Sequence, residues 1–394
     1  MKGWTGNSTG ILIVWGLLSG IGLLMGGSAP VLIAQERFGD PLFFLKRQIL
    51  YTAVGAGALF LAARVPYNFW VRPDVARAFF FVCPALLMTV FWLPPVRGVH
   101  RWIRWGPLLS FQPSELAKLG IVVYIAFLVH RQGRQAFRDQ LSPVAYAGLV
   151  TALWAVLIVR EPDLGNALIL LCIAGGMIWA GQVSLRQMVL GGAVAAAVIG
   201  LAFLLWVDVP RHWMDRFRAF LDLEAHAQTT GYQQRQALIA LGRGGLWGTG
   251  YGRSLQKLYY LPEPHNDYVF AILGEELGLP ATLLVVGLYG AYLWLGLTAA
   301  RRARLSAGRV MAVGIAVWIG FQAFLNITVS VGLVPPKGTV LPFISYGGTA
   351  YLLYSLATGI LISIAEDHVR ITPTDEQSIG SGRWAGKGNL CASS

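Results

Sequence analysis

Residues 231–278 read GYQQRQALIALGRGGLWGTGYGRSLQKLYYLPEPHNDYVFAILGEELG, and this stretch decides how the chain is organised. It holds most of a polar, glycine-rich segment of about sixty residues, Asp208 to Asp267, and then continues directly into an apolar run. Long apolar segments also precede it. A chain that gathers its Arg, Gly, His and acidic side chains between apolar runs predicts a large loop at a membrane surface, where those groups meet water.

The composition indicates a membrane protein. The 394 residues are 55% hydrophobic and 13% charged, whereas soluble domains carry about 25% charged residues. Runs of roughly twenty apolar residues are long enough to cross a bilayer as helices, and helices satisfy their own backbone hydrogen bonds in lipid. We therefore predict an all-α polytopic membrane domain over residues 1–372, with a large loop at 208–267 and a disordered cytoplasmic tail at 373–394.

The apolar runs predict about ten transmembrane helices, with the large loop between the seventh and the eighth. The predicted spans are 10–34, 48–64, 77–93, 114–130, 144–160, 164–181, 186–207, 268–298, 308–333 and 345–366. The turn Arg160-Glu161-Pro162-Asp163 separates the fifth from the sixth. Pro162 is suited to open the sixth helix, because its missing N–H costs nothing in the first turn.

The positions of lysine and arginine predict that both termini are cytoplasmic, because cytoplasmic loops carry an excess of these residues. In that orientation 15 of them fall in inside segments and 8 in short outside loops. The inside residues are Lys2, Arg64, Arg72, Arg77, Arg131, Arg134, Arg138, Arg186, Arg301, Arg302, Arg304, Arg309, Arg370, Arg383 and Lys387; the outside residues are Arg37, Lys46, Arg47, Arg97, Arg101, Arg104, Arg160 and Lys337. The large loop is left out of this comparison, since long segments translocate largely regardless of charge, and it then lies outside.

Charge and cysteine content argue against a nucleic-acid-binding protein and a disulfide-rich or CxxC metal-binding protein. The net charge of +12 fits loop bias and contact with anionic lipid, and no lysine-rich tail or zinc-finger spacing supports a nucleic-acid partner. The cysteines Cys83, Cys172 and Cys391 lie far apart, two of them within apolar segments, so the sequence predicts neither a disulfide framework nor a CxxC metal site. The first apolar segment lacks a clear cleavage site and is interpreted as an uncleaved span.

Two polar motifs fall at predicted span ends on the outer face. Residues 96–120 place Ser114, Glu115 and Lys118 in the first turns of the fourth span, with Glu115 and Lys118 on one helix face. An interfacial tryptophan belt with a local ion pair is the simpler interpretation, but a cation within a span usually faces a cavity. At residues 161–166, Glu161 and Asp163 either cap the sixth helix or form a carboxylate pair that holds a divalent cation.

The remaining polar motifs lie in the large loop and in the connection between the ninth and tenth spans. The glycines of GRGGLWGTGYGR permit tight turns and close approach of backbone to a ligand, and Arg243, Arg253 and Lys257 are suited to phosphate oxygens. Asp267 heads the eighth span, either as its N-cap or in a wet cavity, as its ionisable neighbours indicate. Those neighbours are Glu263, His265, Glu275 and Glu276. Pro335, Pro336 and Pro342 interrupt the ninth–tenth connection and bring Lys337 and the SYGG turn to the same face.

These motifs together resemble the SEDS family (shape, elongation, division and sporulation), typified by FtsW and RodA. The resemblance runs from about residue 10 to 366. It is carried by RWIRWGPLLSFQPSELAK at 101–118, EPDLGNALIL at 161–170, GYQQRQALIALGRGGLWGTGYG at 231–252, LQKLYYLPEPHNDYVFAILGEELG at 255–278 and VGLVPPKGTVLPFISYGG at 331–348. The family usually has Thr or Ser before the aspartate, Phe after it, Gly at the position of Thr328 and Ser at that of Thr349. The Lys337-Gly338 pair is more similar to the division branch, FtsW, than to RodA.

The resemblance implies a ten-span peptidoglycan glycosyltransferase that polymerises lipid II outside the bacterial cytoplasmic membrane. It also implies an essential aspartate, here Asp267, a class B penicillin-binding transpeptidase and other divisome or elongasome proteins as partners, and activity helped by a divalent cation such as Mg or Mn, with no organic cofactor. We expect Asp267 to be the general base of an inverting transfer that releases undecaprenyl pyrophosphate. The candidate substrate-binding residues are Lys118, Arg101, Glu115, Ser114, Arg243, Lys257, His265, Lys337 and Ser345, and the candidate metal ligands are Glu161 and Asp163.

Two other functions fit a ten-helix protein with charges at span ends. A transporter that flips lipid-linked precursors is expected to carry charges at mid-span and paired broken helices in related halves. Here the charges gather at one face, which favours an enzyme acting at that face. A non-catalytic scaffold that recruits division or elongation proteins is the third alternative, and only a test of catalysis separates it from the first.

Overall fold

The structure is a computed structural model that describes residues 5–95, 99–105, 109–205, 208–226, 228–229, 231–258, 260–261 and 265–367. The helices are α1 (Gly6–Gly26), α2 (Val31–Phe38), α3 (Phe43–Arg64), α4 (Pro73–Thr89), α5 (Pro113–Asp139), α6 (Leu141–Arg160), α7 (Leu164–Ala180), α8 (Leu185–Leu205), α9 (Asp208–Leu221), α10 (Tyr232–Gly244), α11 (Val269–Arg302), α12 (Ser306–Ser330) and α13 (Gly348–Glu366). A two-stranded antiparallel hairpin pairs β1 (Ile103–Trp105) with β2 (Leu109–Phe111). The predicted tail, 373–394, lies outside the described residues.

The predicted all-α polytopic architecture is confirmed. Seven of the described helices are long and apolar enough to cross a membrane, namely α1, α4, α5, α6, α11, α12 and α13, and α7 and α8 are shorter apolar helices. The helix α3 fills the position of the second predicted span, but its first turns carry Lys46 and Arg47, which make it less apolar. These ten helices occupy the ten predicted spans, so the protein is a multi-pass membrane protein.

Close packing of small residues holds the bundle together. The helix α12 contacts α5, α7 and α11, and its Trp318 and Gln322 are fully buried. Helices α3 and α13 meet where glycines remove side-chain bulk: a Cβ on Gly55 would lie 2.6 Å from the ring of Tyr351, and one on Gly359 would meet the backbone carbonyl of Leu59. Such contacts allow backbones to approach closely, which is the usual basis of helix association in lipid.

The start of α7 agrees with the predicted span and with an aspartate cap, but not with Pro162 as the first residue of the helix. The helix begins at Leu164, and Asp163 is its N-cap, accepting a hydrogen bond from the backbone N–H of Asn166 at 3.2 Å. Pro162 therefore lies in the turn before the cap and does not open the helix. An aspartate at the cap position accepts a free N–H of the first turn, which proline cannot do, and this fixes where the helix starts.

The polar segment before α11 contains two helices, α9 and α10, followed by glycine-rich turns. These turns meet an interruption of α11 at Gly278, whose φ of 75° departs from helical geometry. The backbone N–H of Thr249 donates to the carbonyl of Glu275 at 2.9 Å, and that of Gly250 donates to the carbonyl of Glu276 at 3.0 Å. The segment thus supplies the hydrogen bonds that the broken helix cannot make for itself.

Candidate active site

A cavity of about 460 Å³ lies at the end of the bundle where α5, α7 and α11 begin, which we call the Asp267 end. Distant parts of the chain form its wall. The lining residues are Arg37, Phe38, Phe43, Phe44, Arg47, Tyr51, Val99, Arg101, Trp102, Arg104, Ser110, Gln112, Glu115, Asn166, His265, Asn266, Asp267, Gly338, Thr339, Val340, Tyr346, Gly347 and Gly348. Asp267, Arg101, Glu115 and His265 of the predicted site residues line this cavity, whereas Lys118, Glu161 and Asp163 do not.

Asp267 is held in the cavity by its backbone. The N-cap of α11 is Tyr268, which makes no side-chain capping bond, so Asp267 lies one residue before the cap position. Its carbonyl accepts a hydrogen bond at 2.8 Å from the side-chain amide of Asn326, and that amide also donates to the carbonyl of Thr339 at 2.5 Å. A Cβ on Gly338 would lie 3.1 Å from Asp267 Oδ2. The carboxylate thus lies between α11 and the connection from α12 to α13.

Glu115 and Lys118 form the ion pair that their spacing predicts. Lys118 Nζ donates to Glu115 Oε1 at 2.7 Å, to Asn166 Oδ1 at 3.0 Å and to Gln322 Oε1 at 2.8 Å. All three donors of the ammonium are therefore used by protein oxygens. Glu115 and Asn166 line the cavity, whereas Lys118 lies behind them and is completely buried. Lys118 orients the wall of the cavity, and Ser114 adds to the same wall by accepting from Asn166 Nδ2 at 3.3 Å.

Arg101 joins the cavity to the turn between α6 and α7. Its guanidinium lines the cavity and donates to the carbonyl of Glu161 at 2.8 Å and to the carbonyl of Pro162. The Glu161 side chain is completely buried, and neither carboxyl oxygen has a hydrogen-bond partner among the described residues. Burial, with a smaller contribution from the charge of Asp163, raises the pKa of Glu161 well above its usual value. A protonated Glu161 is the form that this environment favours.

The carboxyl groups of Glu161 and Asp163 do not fit a divalent cation as they stand. Asp163 Oδ2 accepts from Asn166 Nδ2 at 2.8 Å and from Gln112 Nε2 at 3.2 Å, and Oδ1 caps α7. The environment of Glu161 favours a neutral acid, and hard cations prefer ionised carboxylates. Within the described ranges no three His, Cys, Asp or Glu side chains form a metal-binding cluster. The divalent cation stays a prediction, and no step of the mechanism below passes through it.

The opposite wall of the cavity is aromatic and basic. The His265 and Phe44 rings lie 4.7 Å apart between centroids, and Phe44 also contacts the Tyr346 ring. Ser345 Oγ donates to the carbonyl of Asn266 at 2.6 Å, so the SYGG turn fixes the residue next to Asp267. Burial raises the pKa of Tyr346 to about 12. Ser345 thus has a structural contact, and the other three residues of the turn, Tyr346, Gly347 and Gly348, line the cavity.

Two cations lie beside the cavity. Arg216 of α9 donates to the carbonyl of Pro336 at 3.4 Å, and its charge interacts with those of Arg101, Asp267 and Asp163. Lys337 is half-buried, and burial lowers its pKa although the neighbouring Asp163 opposes that shift. The proline-rich connection therefore brings positive charge toward the aspartates, as its sequence predicts.

Six of the nine predicted substrate-binding residues do not line this cavity. Ser114, Lys118, Lys337 and Ser345 lie in or beside its wall, whereas Arg243 and Lys257 pair with glutamates elsewhere. Arg243 Nε lies 3.9 Å from Glu275 Oε1, and Lys257 Nζ lies 2.8 Å from Glu276 Oε1. Both glutamates are buried, and neither lines the cavity. Glu263 lies outside the described residues. The substrate-binding role of Arg243 and Lys257 stays a prediction without geometric support at the cavity.

Sequence reasoning did not select Arg37, Arg47 and Arg216. The first two entered only as loop charges, yet they line the cavity at the ends of α2 and α3. A usable signal was present for Arg216: residues 208–221 alternate basic and apolar side chains with helical spacing, which predicts an amphipathic surface helix with one polar face.

The fold and the site define a class: a polytopic helical membrane protein with a charged cavity at one end of its bundle. The chain belongs to the FtsW/RodA/SpoVE family of cell cycle proteins, whose model matches residues 8–370. It is 39% identical to the probable peptidoglycan glycosyltransferase FtsW of Thioalkalivibrio sulfidiphilus, over 93% of this chain and 92% of that protein. The FtsW of Coxiella burnetii is 35% identical, over 92% and 96%.

Solved structures share the fold. A chain of a peptidoglycan synthase complex that coordinates polymerization and crosslinking superposes with a TM-score of 0.73 at 23% identity, covering 94% of this chain and all of that one. The rod shape determining protein RodA of Thermus thermophilus gives a TM-score of 0.65 at 22% identity, covering 94% and 99%. The predicted SEDS membership is confirmed.

Proposed function

We propose that this protein is a peptidoglycan glycosyltransferase that polymerises lipid II into glycan strands. Family membership and the shared description of its relatives support this activity. The observation that carries the proposal is the carboxylate of Asp267, which lines a cavity together with Arg101 and other basic side chains. A base beside positive charge is what transfer from a pyrophosphate donor requires.

The reaction joins an acceptor sugar hydroxyl to the anomeric carbon of a donor sugar. The hydroxyl oxygen forms the new C–O bond while the bond from the anomeric carbon to the pyrophosphate oxygen breaks, and undecaprenyl pyrophosphate leaves with that electron pair. Asp267 accepts the hydroxyl proton. Single displacement inverts an α-linked donor to a β-linked product, so it needs one base and no closely spaced second carboxylate as nucleophile. A positioned base contributes about 10²- to 10⁴-fold to the rate.

The leaving group develops negative charge that the cavity must stabilise. Arg101 lines the cavity, and the charge of Arg216 interacts with those of Asp267 and Asp163. The planar guanidinium groups of both arginines match phosphate geometry. Lys118 has all its donors engaged within the wall, so its role is to hold Glu115 and Asn166 in place. These charges are held in place at the wall of the cavity, so they stabilise developing charge without the reorganisation that water requires.

The topology and partners complete the proposal. The excess of Lys and Arg at the opposite end of the bundle supports cytoplasmic termini and an active site on the outer face of the cytoplasmic membrane. A solved relative belongs to a synthase complex that also crosslinks, which supports a class B penicillin-binding transpeptidase as partner, together with other divisome proteins. Lys337-Gly338 and the FtsW descriptions of the relatives favour the division branch.

The test reconstitutes the wild-type protein and Asp267→Asn in vesicles with lipid II and the partner transpeptidase. We expect glycan polymer from the wild type and a loss of at least about 100-fold in the variant. Asp40→Asn is the matched control, because Asp40 pairs with Lys46 at 2.7 Å outside the cavity. Translocation of lipid II by the wild type without any polymer would instead support the transporter, and near-normal polymer from Asp267→Asn would remove the aspartate from the chemistry.

A further inference from the structure

A second buried ionic cluster lies outside the cavity. Lys257 Nζ donates to Glu276 Oε1 at 2.8 Å and to Ser28 Oγ at 2.9 Å. The Ser28 hydroxyl lies 2.6 and 2.7 Å from the two oxygens of Glu276, and donates to that carboxylate. Exposed fractions are 7% for Lys257, 1% for Glu276 and 2% for Ser28. We call these three side chains the loop lock.

The neighbouring glutamate strengthens the same junction. Glu275 accepts hydrogen bonds from the backbone N–H of Leu255 at 3.0 Å and of Gln256 at 3.4 Å, and from the hydroxyl of Ser254. Ser254 Oγ in turn accepts from the backbone N–H of Lys257 at 3.2 Å. Two adjacent buried carboxylates of α11 are thus satisfied mainly by one short loop segment, residues 254–257.

The backbone of the loop also packs closely against the interruption of α11. A Cβ on Gly278 would lie 2.5 Å from the backbone nitrogen of Gly248, and one on Gly248 would meet the carbonyl of Glu276. The loop backbone donates to the carbonyls of Glu275 and Glu276, as described above. Hydrogen bonds from backbone and side chains therefore fix the loop to Glu275 and Glu276. The loop and this part of α11 have little freedom to move independently of each other.

The positions of the lock relate it to the cavity. Asp267 lies in the chain between Lys257 and Glu276, so an ion pair between those two residues closes the segment that carries the carboxylate. Ser28 follows α1 and precedes α2, whose Arg37 and Phe38 line the cavity. One buried cluster thus connects the segment that carries Asp267 to the segment before α2, the helix whose Arg37 and Phe38 line the cavity. None of the three side chains lines the cavity itself.

A buried ion pair needs a reason other than stability, because well-packed apolar residues often stabilise a fold as much or more. We infer that Lys257, Glu276 and Ser28 position Asp267 for catalysis, and that Lys257 is a positioning residue rather than a ligand of the substrate pyrophosphate. This inference rests on the proposed function. Charged hydrogen bonds specify direction and distance, which a nonpolar contact does not.

The test measures kcat and KM for lipid II in Lys257→Met, Glu276→Gln and the double variant, with the full-length protein and its partner. We expect each single change to lower kcat by about 10- to 100-fold, since a small misplacement of a catalytic group has effects of that order. KM stays within about twofold because no lock residue touches substrate, and the double variant is no slower than the slower single variant, because either change already opens the lock. The control is Lys46→Met, which removes the ammonium of an exposed ion pair near the start of α3.

Thermal melting in detergent checks folding. Lys257→Met leaves Glu276 charged and unpaired, so the double variant melts at a higher temperature than Lys257→Met. If the single variants do not fold, Ser28→Ala removes the hydroxyl that donates to Glu276 and accepts from Lys257 but keeps the ion pair, and we expect a roughly fivefold fall in kcat. A raised KM in Lys257→Met with wild-type KM in Glu276→Gln would overturn the inference in favour of substrate contact, as would wild-type kinetics in all variants. Absence of polymer with the wild type would contradict the proposed function instead.

Discussion

Gly338 lies against the carboxylate of Asp267, and its missing side chain is what lets the connection between α12 and α13 pass so close. A Cβ there would lie 3.1 Å from Asp267 Oδ2, closer than ordinary van der Waals contact. The side-chain amide of Asn326 donates to the carbonyl of Asp267 at 2.8 Å and holds its backbone in place. A side chain added at Gly338 therefore displaces the carboxylate and not the backbone of Asp267.

Gly338→Ala should displace this carboxylate and slow glycan polymerisation on the order of 10- to 100-fold. The control is Gly290→Ala in α11, where an added Cβ meets nothing within 4 Å and alanine favours the helix. Polymerisation rates and melting temperatures of the two variants decide the outcome. Equal rates for Gly338→Ala and the wild type would show that the position of Asp267 tolerates displacement.

Glu161 gives the protein a pH dependence of stability. Burial raises its pKa in the folded state above the ordinary value of 4.5, so the folded state binds the proton more tightly than the unfolded state. The stabilisation is fully present below that ordinary value and is lost as pH rises through the folded pKa. Glu161→Gln fixes a neutral side chain, and we expect its melting temperature to fall less than that of the wild type from pH 5 upward. Parallel melting curves against pH would contradict this assignment.

Sequence spacing identified the residues whose contacts are local. Glu115 and Lys118 are three apart on one helix face, and Asp163 caps the helix that begins beside it, so neighbouring positions in the chain were enough. Arg47 and Arg216 reach the cavity from helices far away in sequence, and nothing in their local pattern states which helix end they meet. Contacts between distant segments depend on packing, which a single sequence does not display.

At the scale of elements, α9 presents two arginines with opposite surroundings. Arg216 is turned toward the charges of Asp267 and Asp163, whereas the side chain of Arg218 is 66% exposed and lies 3.9 Å from Asp215. Met214, Phe217 and Leu221 are exposed apolar residues of the same helix. An amphipathic helix of this kind lies in the membrane interface, with its apolar side chains in lipid.

The neighbouring arginines make a matched pair for a test of charge stabilisation. We expect Arg216→Gln to slow polymerisation on the order of 100-fold, because it removes a donor that meets developing charge. Arg218→Gln should leave the rate close to that of the wild type, since exposed ion pairs contribute little. The measurement is the rate of lipid II consumption in vesicles. Equal effects of the two substitutions would mean that α9 acts through its overall charge and not through Arg216.

The spans were predictable because each is a long apolar run, and the end of α11 near Asp267 follows from the same signal. The break at Gly278 was not predicted. A glycine inside an apolar run is compatible with a continuous helix, and the break is stabilised by loop hydrogen bonds from Thr249 and Gly250. The short helix α2 was merged with the end of the first span, because its apolar residues extend the apolar run before it.

At the scale of the whole molecule, the distribution of basic loops predicts which end faces the cytoplasm. Trp247 is 84% exposed at the Asp267 end, and Leu305 is 42% exposed in the turn between α11 and α12 at the opposite end. In a background without Cys83, Cys172 and Cys391, we expect Trp247→Cys to react with a membrane-impermeant maleimide in intact cells. Leu305→Cys should react only after the membrane is permeabilised, and the reverse pattern would contradict the orientation.

Distant segments of this chain form one cavity, in which we propose that lipid II reacts. The most direct measurement crosslinks a photoreactive lipid II, with its reactive group on the sugar next to the pyrophosphate, to the Asp267→Asn variant, followed by mass spectrometry of the labelled peptides. We expect labelled peptides that contain Arg101, Asn266 and Tyr346, three cavity-lining residues from separate parts of the chain. Labelling confined to lipid-facing helices such as α8, with these three peptides unlabelled, would contradict this proposal.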